Sequence, residues 1–436
     1  MPRWQVDQEK VENLKKPRFV FVSNYLNHHQ IPFCRATYER LEGSFVFIQT
    51  EPMEEERLRM GWNGEIHEPY LELYYEKPKE CAEWIREADV VLYGGTDEES
   101  YLQERLKSGK PIVRYSERLY KSGQWKAVSP RGLRKKYLDH TRWRKAPVYL
   151  LCSGAYVPSD FHIVRAYPGK KFCWGYFPET KHYDLDGLMA DKGYLDADGK
   201  KIPYLLWSGR MIGWKHPELV VETAKYLKDR GLEFHLDLIG GGDLEDKLKK
   251  MVADLDLGEQ VSFLGFLTPQ EVRSHMEKAD VYLITSDRME GWGAVVNEAM
   301  NSGCAVVADH MIGAAPYLIS HGVNGRLYRD GDAAMLFQTV EDLLKDQTKR
   351  DRMGRAAYAT ICNVWNAENA AKSLCRLIER KTGITLDAPM REREAKAAGG
   401  GNSLKAPGVS TRFAPCEPAP VISERKMFRY LTENGK

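Results

Sequence analysis

The sequence predicts an α/β protein of two doubly wound domains, each a parallel sheet with helices on both faces. Three observations carry this. Short apolar runs recur with longer amphipathic stretches between them. The runs lack polar alternation, as strands covered on both faces do. The series also breaks once near the middle and starts again. At 436 residues the chain exceeds what a single hydrophobic core fills, so two domains of ordinary size are the natural division.

In the first half, RFVFVS from Arg18, FVFIQ from Phe45, DVVLYGG from Asp89, PIVRYS from Pro111 and VYLLCSG from Val148 are each followed by charged, helix-compatible sequence. That is βα repetition. The break falls at 178–203, where PETKHYDLDGLMADKGYLDADGKKIP is polar and short of apolar periodicity. The second series runs through PYLLWSGR, FHLDLIGGG, VSFLGF, DVYLITS, CAVVAD and GRLY, with helical stretches such as HPELVVETAKYLKD between them. We assign residues 1–185 to an N-terminal domain, 186–202 to a linker, 203–362 to a C-terminal domain and 363–382 to a terminal helix. Residues 383–436, rich in Gly, Pro, Ala and charge, read as a mobile tail, with an amphipathic helix near the end on Ile422, Met427, Phe428 and Leu431.

Composition bounds the function classes. Apolar residues make up 43% and charged residues 29%, with a formal net charge of +2, the balance of a globular protein. No run approaches the roughly 18 to 20 apolar residues of a membrane span, and the first residues lack a signal peptide's apolar core, so a cytoplasmic location is expected. Eight cysteines lie without a C-x-x-C pair or a nearby histidine at metal-ligand spacing, which points to buried thiols, with no disulfide framework and no metal. The D-x-D triplets at Asp184–Asp186, Asp196–Asp198 and Asp254–Asp256 fall in the linker or a helical stretch and read as surface charge.

Ligands of open α/β sheets gather beyond the carboxyl ends of the strands. Where DVYLITS ends, Glu290 and Glu298 stand eight residues apart, with Gly291 and Gly293 after the first. Glu290 precedes a helix and Glu298 lies within it. Glycines let backbone approach a ligand, and carboxylates accept hydrogen bonds from vicinal diols. At the first strand exit of the same domain, SGRMIGWK places Arg210 and Lys215 beside Gly209. Two fixed cations there can neutralise a departing diphosphate without a metal ion.

The combination of S-G-R-x4-K, G-G-G-D at 240–243, V-S-F-L-G-F at 261–266, E-G-W-G-x4-E-A-M-x-x-G at 290–303 and V-N-G-R-L-Y at 323–328 resembles the family 4 retaining glycosyltransferases. The resemblance covers about residues 203–380 and implies the GT-B fold, two facing Rossmann-like domains with a cleft between them. It also implies a nucleotide-diphosphate sugar as donor and co-substrate, with no further cofactor. Arg210 and Lys215 would hold the diphosphate and Glu298 the ribose. Glu290, with the amides of Gly291, Trp292, Gly293 and Ala294, would hold the donor sugar, and Phe266 would line the base site. Trp365 and Asn366 would start a helix crossing back to the N-terminal domain.

The acceptor side departs from the family. The first loop reads NYLNHHQIP, where the family often has glycines, and a later strand ends YSERLY, where it often has a histidine. His28, His29 and Glu117 are the acceptor-side candidates. Between Arg105 and Lys145 basic residues outnumber acidic ones, interleaved with Tyr115, Tyr120, Trp125, Tyr137 and Trp143. The stretch reads either as a solvated basic face or as a surface for anionic lipid, which ranks above nucleic acid because no nucleic-acid module accompanies it. The expected acceptor is a glycan or a lipid-linked glycan of bacterial surface polysaccharide synthesis. A nucleotide-sugar epimerase on the same fold and a degenerate nucleotide-sugar-binding protein are the alternatives.

Overall fold

The apolar runs become strands because valine, isoleucine and aromatic side chains fill both faces of a pleated layer. The computed structural model describes residues 17–53, 66–96, 98–397 and 411–433. In the N-terminal half, β1 (Phe19–Ser23), β2 (Phe45–Gln49), β3 (Leu71–Leu73), β4 (Val90–Tyr93), β5 (Ile112–Ser116), β6 (Val148–Ser153) and β7 (Lys171–Trp174) form one parallel sheet in the order 3-2-1-4-5-6-7. In the C-terminal half, after the small hairpin of β8 (Tyr194–Leu195) and β9 (Lys201–Ile202), a second parallel sheet has the order 12-11-10-13-14-15. Its strands are β10 (Tyr204–Ser208), β11 (His235–Ile239), β12 (Val261–Gly265), β13 (Val281–Ile284), β14 (Ala305–Asp309) and β15 (Arg326–Tyr328). Strand order reverses between β1 and β4 and between β10 and β13, and the loops leaving those strands face one another.

Local signals set the helix starts that matter here. Helix Pro269–Lys278 opens with a capping box, Thr268 accepting from the Glu271 amide and Glu271 reaching back. Helix Ala367–Thr382 starts at Asn366, whose side chain accepts from the Asn369 amide, and ends at Gly383 with φ 77°. It packs on helix Ile31–Arg40 of the N-terminal half, where Arg40 donates to the fully buried Asp387 at 2.6 Å. Trp365, completely enclosed, stacks on Phe177 with ring centroids 6.1 Å apart.

The two halves also meet at backbone. A β-carbon on Gly154 would lie 3.2 Å from the Gly313 Cα and 3.4 Å from the Gly291 carbonyl oxygen, and within the C-terminal half one on Gly313 would lie 1.9 Å from that same oxygen. Only glycine permits that approach. Ala155 N donates to Gly313 O at 3.1 Å and Tyr156 OH to His310 O at 2.9 Å.

Two expectations need correction. The stretch read as a linker is built into the C-terminal domain. It contains helix Leu185–Ala190, and Lys192 is buried with its ammonium donating to the carbonyls of Met276, Ala279 and Ser302 at 3.1, 2.7 and 2.8 Å. A lysine stem can be buried when carbonyls satisfy its charge, which polar composition conceals. The tail read as mobile is packed wherever it is described. Helix Ala388–Ala397 ties back through Glu394 to Arg40 at 3.0 Å. Residues 416–419 add antiparallel to the edge strand β7, with Cys416 N to Cys173 O and Cys173 N to Glu417 O both 2.8 Å. Trp365 Nε1 donates to Phe413 O at 3.1 Å. The terminal helix expected there is Glu424–Glu433, with Met427 and Leu431 buried. An exposed sheet edge supplied hydrogen bonds that a low-hydrophobicity segment uses in place of a core of its own. The remainder of the tail assignment, 398–410 and 434–436, lies outside the described residues, as do 1–16 and 54–65 of the N-terminal assignment.

Candidate functional site

The facing loops enclose a cavity of about 1110 Å³ that both domains line. From the C-terminal half come Arg210, Trp214, Lys215 and the run from Met289 to Ala294. From the N-terminal half come the loops after β1, β4 and β5, including His29, Tyr115, Glu117 and Lys121, and then Tyr176. Sequence-predicted residues Arg210, Lys215, Glu290, Gly291, Trp292, Gly293, Ala294, His29 and Glu117 are therefore brought together around one space.

Within the C-terminal wall, Lys215 Nζ is hydrogen-bonded to Glu290 Oε2, both side chains being only 14% exposed. The lysine ammonium also lies 4.7 Å from the centroid of the Trp214 ring, and the Arg210 guanidinium 5.9 Å from it. Cation–π attraction to one indole thus gathers both cations on the same side of the strand exit. Arg210 is exposed and has no salt bridge among the described residues, so its donors remain available. The loop is braced behind by His216, whose two ring nitrogens meet Glu218 Oε1 at 3.1 Å and Asp287 Oδ2 at 3.3 Å. The Glu218 bond first, then Asp287, raises the His216 pKa above its ordinary value.

Trp292 contributes to this wall through its backbone. Its indole is buried, donates from Nε1 to Asn297 Oδ1 at 2.9 Å and packs so closely on Gly175 that a β-carbon there would fall 2.2 Å from the ring. It anchors the Gly291–Ala294 backbone to the N-terminal domain.

Glu298 and His28 lie elsewhere. Both line a smaller cavity of about 250 Å³, with Lys181, Pro269, Gln270 and Arg273. Burial pushes the Glu298 carboxyl up to about 7, with the Arg273 guanidinium acting in the opposite direction. Its side chain has no hydrogen bond among the described residues. Eight residues therefore separate two carboxylates that open into different cavities. Gly209 and Phe266 line neither. Gly209 lies against Gly240, where a β-carbon would sit 2.1 Å from the Gly209 carbonyl. Phe266 is 78% exposed, its ring edge over Gly241 at the ends of β11 and β12.

Three residues that the sequence reading passed over complete the main cavity. Trp214 stood inside the S-G-R-x4-K segment, and an aromatic between two cations was its available signal. Tyr176 and Lys121 carried none, because their roles arise from contacts across the fold.

Residues 197–360 match the family model described as Glycosyl transferases group 1. The amylovoran biosynthesis glycosyltransferase AmsK of Erwinia amylovora is 33% identical over 167 residues, 37% of this chain and 41% of that protein. The D-inositol 3-phosphate glycosyltransferase of Pseudarthrobacter chlorophenolicus is 33% identical over 175 residues, 39% of this chain and 41% of that protein. These alignments span about two fifths of the relatives' length. Among solved structures, the sucrose-phosphate synthase of Thermosynechococcus elongatus superposes with a TM-score of 0.58 at 15% identity, over 83% of this chain and 98% of that one. HepE of Anabaena, in complex with UDP and glucose, superposes with a TM-score of 0.52 at 16% identity, over 87% and 99%. The shared architecture is GT-B.

Proposed function

We propose that this chain, whose residues 197–360 match the model of the group 1 glycosyl transferases, is a member of that group that moves a sugar from a nucleotide diphosphate to a hydroxylated acceptor with retention at the anomeric carbon. The observation that carries the reading is the Lys215–Glu290 pair, gathered with Arg210 around Trp214 at a strand exit of the C-terminal sheet. Arg210 and Lys215 meet the charge that develops on the departing diphosphate, in a setting of lower dielectric than water, where fixed cations act strongly and no metal is needed. Glu290 and the amides from Gly291 onward receive the donor sugar. Glu298 takes the ribose in the smaller cavity, and Phe266, exposed just past β12, offers a flat surface for a base. In the reaction, the bond from the anomeric carbon to the phosphate oxygen breaks and a bond from the acceptor oxygen forms on the same face. The acceptor's proton passes to the departing phosphate.

The acceptor we favour is a lipid-linked glycan met at an anionic bilayer. Helix Pro130–Asp139 has no buried residue, and beside it Trp125 and Val128 are 71% and 79% exposed. Between 121 and 145 there are nine Lys or Arg and one Asp, a charge that favours anionic lipid. Lys135 and Lys136 of this helix also line the main cavity, so the face and the cleft are continuous.

Thermal-shift titration with UDP, GDP, ADP and their sugar conjugates in EDTA tests the donor site. A ligand at a hundred times its dissociation constant stabilises by about 2.7 kcal/mol. One nucleotide raising Tm without metal is the expected result, and no response from any of them overturns the reading. Sedimentation with phosphatidylglycerol vesicles tests the surface: binding that falls with salt and with Trp125→Ala is expected, and equal binding to phosphatidylcholine vesicles removes the bilayer assignment.

A further inference from the structure

The N-terminal wall carries a carboxylate that the donor assignments leave unused. Glu117 stands at the exit of β5 in the main cavity. Its Oε1 accepts from Tyr176 OH at 2.6 Å and its Oε2 pairs with Lys121 Nζ at 2.5 Å. It is seated on the opposite domain. A β-carbon on Gly291 would lie 2.0 Å from Glu117 Oε2 and 2.6 Å from Oε1, so the carboxylate rests on the backbone of the residue that follows Glu290. Tyr176 is in turn held between the His29 ring, near-parallel at 6.3 Å, and the Trp292 ring at 6.2 Å. Burial first, then the charge of Glu117, keeps its phenol protonated and therefore a donor.

An ionised carboxylate offers about four lone-pair positions. Tyr176 and Lys121 use two, leaving capacity for hydroxyl donors in the cavity. A sugar bound between Lys215, Glu290 and the Gly291 backbone has Glu117 on its N-terminal side, where an acceptor must arrive.

We infer that Glu117 is the acceptor-side catalytic carboxylate, accepting a hydrogen bond from the incoming hydroxyl and aiming its oxygen at the anomeric carbon, with Lys121 and Tyr176 as positioning residues. Glu117 takes no proton in the step: the hydroxyl proton that its carboxylate orients during the approach passes to the departing phosphate oxygen as the acceptor oxygen bonds to the anomeric carbon, and the carboxylate faces the positive charge that builds on the sugar. This rests on the transfer reading above.

The experiment uses the full chain and water as the acceptor, following release of nucleotide from UDP-glucose, ADP-glucose and GDP-mannose. Glu117→Gln should lower the hydrolytic kcat by about 10- to 100-fold, with the dissociation constant for the free nucleotide within about twofold of wild type. Tyr176→Phe, which keeps the ring packing, should lower kcat by about three- to tenfold with Tm unchanged. Hydrolysis by Glu117→Gln at the wild-type rate overturns the inference, as does a parallel loss of nucleotide affinity, which would make Glu117 part of the donor site. A wild-type chain that binds nucleotide yet hydrolyses no donor removes the transfer reading, and this one with it.

Discussion

Each wall of the cleft presents a glutamate paired with a lysine, and the two pairs are made differently. Lys215 and Glu290 leave different strands of the C-terminal sheet and meet with both side chains 14% exposed. Lys121 and Glu117 are four residues apart and twice as open, at 32% and 28%. Coulomb attraction grows as water is excluded, so the first pair holds a fixed geometry that only the folded sheet creates. The second would contribute little alone. It is made specific by Tyr176 and by the glycine surface of the opposite domain. The C-terminal wall is thus set by one domain's topology, whereas the N-terminal wall takes its form only where two domains touch.

Breaking the more rigid pair should cost most. Lys215→Ala removes a fixed cation and leaves Glu290 uncompensated, and donor turnover should fall by about 10²- to 10³-fold, measured as nucleotide release. A loss of only a few fold would place the two walls on equal footing.

Glu298 sharpens the comparison from the smaller cavity. Its carboxyl is raised to about 7 by burial, so the folded state holds the proton more tightly than the unfolded chain. The sign follows: stability is greatest below the ordinary carboxylate range and declines as pH rises through about 7, and Glu298→Gln should be the more stable protein above that pH. Nucleotide affinity should run the other way. Only the ionised carboxylate accepts both hydrogen bonds of a ribose diol, so affinity should rise by up to about tenfold from pH 6 to pH 8. In Glu298→Gln the same titration should be flat.

Gly291→Ala tests the contact between the walls. Its β-carbon would displace the Glu117 carboxylate, and turnover should fall by about tenfold with nucleotide affinity held within about threefold. The smallest effect is expected at the rim. Arg118, buried beside Asp160 at 3.3 Å, also pairs with Glu424 of the C-terminal helix. Glu424→Ala should lower stability by about 1–2 kcal/mol, a Tm shift of a few degrees for a chain of this size, with little change in turnover.

Much of this was legible in order along the chain. Continuous apolar runs marked the strands, because residues buried on both faces of a parallel sheet cannot alternate. The eight-residue Glu290–Glu298 spacing and the two cations after β10 stood at strand exits, where open sheets bind ligands. Less was legible where polar composition hides a buried role. Lys192 spends its charge on backbone carbonyls within the supposed linker. Residues 411–433 are poor in core-forming side chains, yet the β7 edge and the Phe413–Tyr317 contact hold them. The indole of Trp292 is a packing anchor, because Gly175 leaves room for its ring, while the residue still lines the main cavity.

The sequence by itself determined the class of fold, the existence of two sheets and which charged residues stand at the strand exits of the C-terminal sheet, since periodicity, strand exits and short motifs are local properties of the chain. Only the tertiary structure decided that Glu290 and Glu298 open into separate cavities, that Glu117 rests on Gly291 and that the C-terminal segment closes the edge of the first sheet. Those relations join residues tens to hundreds of positions apart through close backbone approach and shared burial. No window of sequence carries them, because they depend on which surfaces remain uncovered once both sheets have formed.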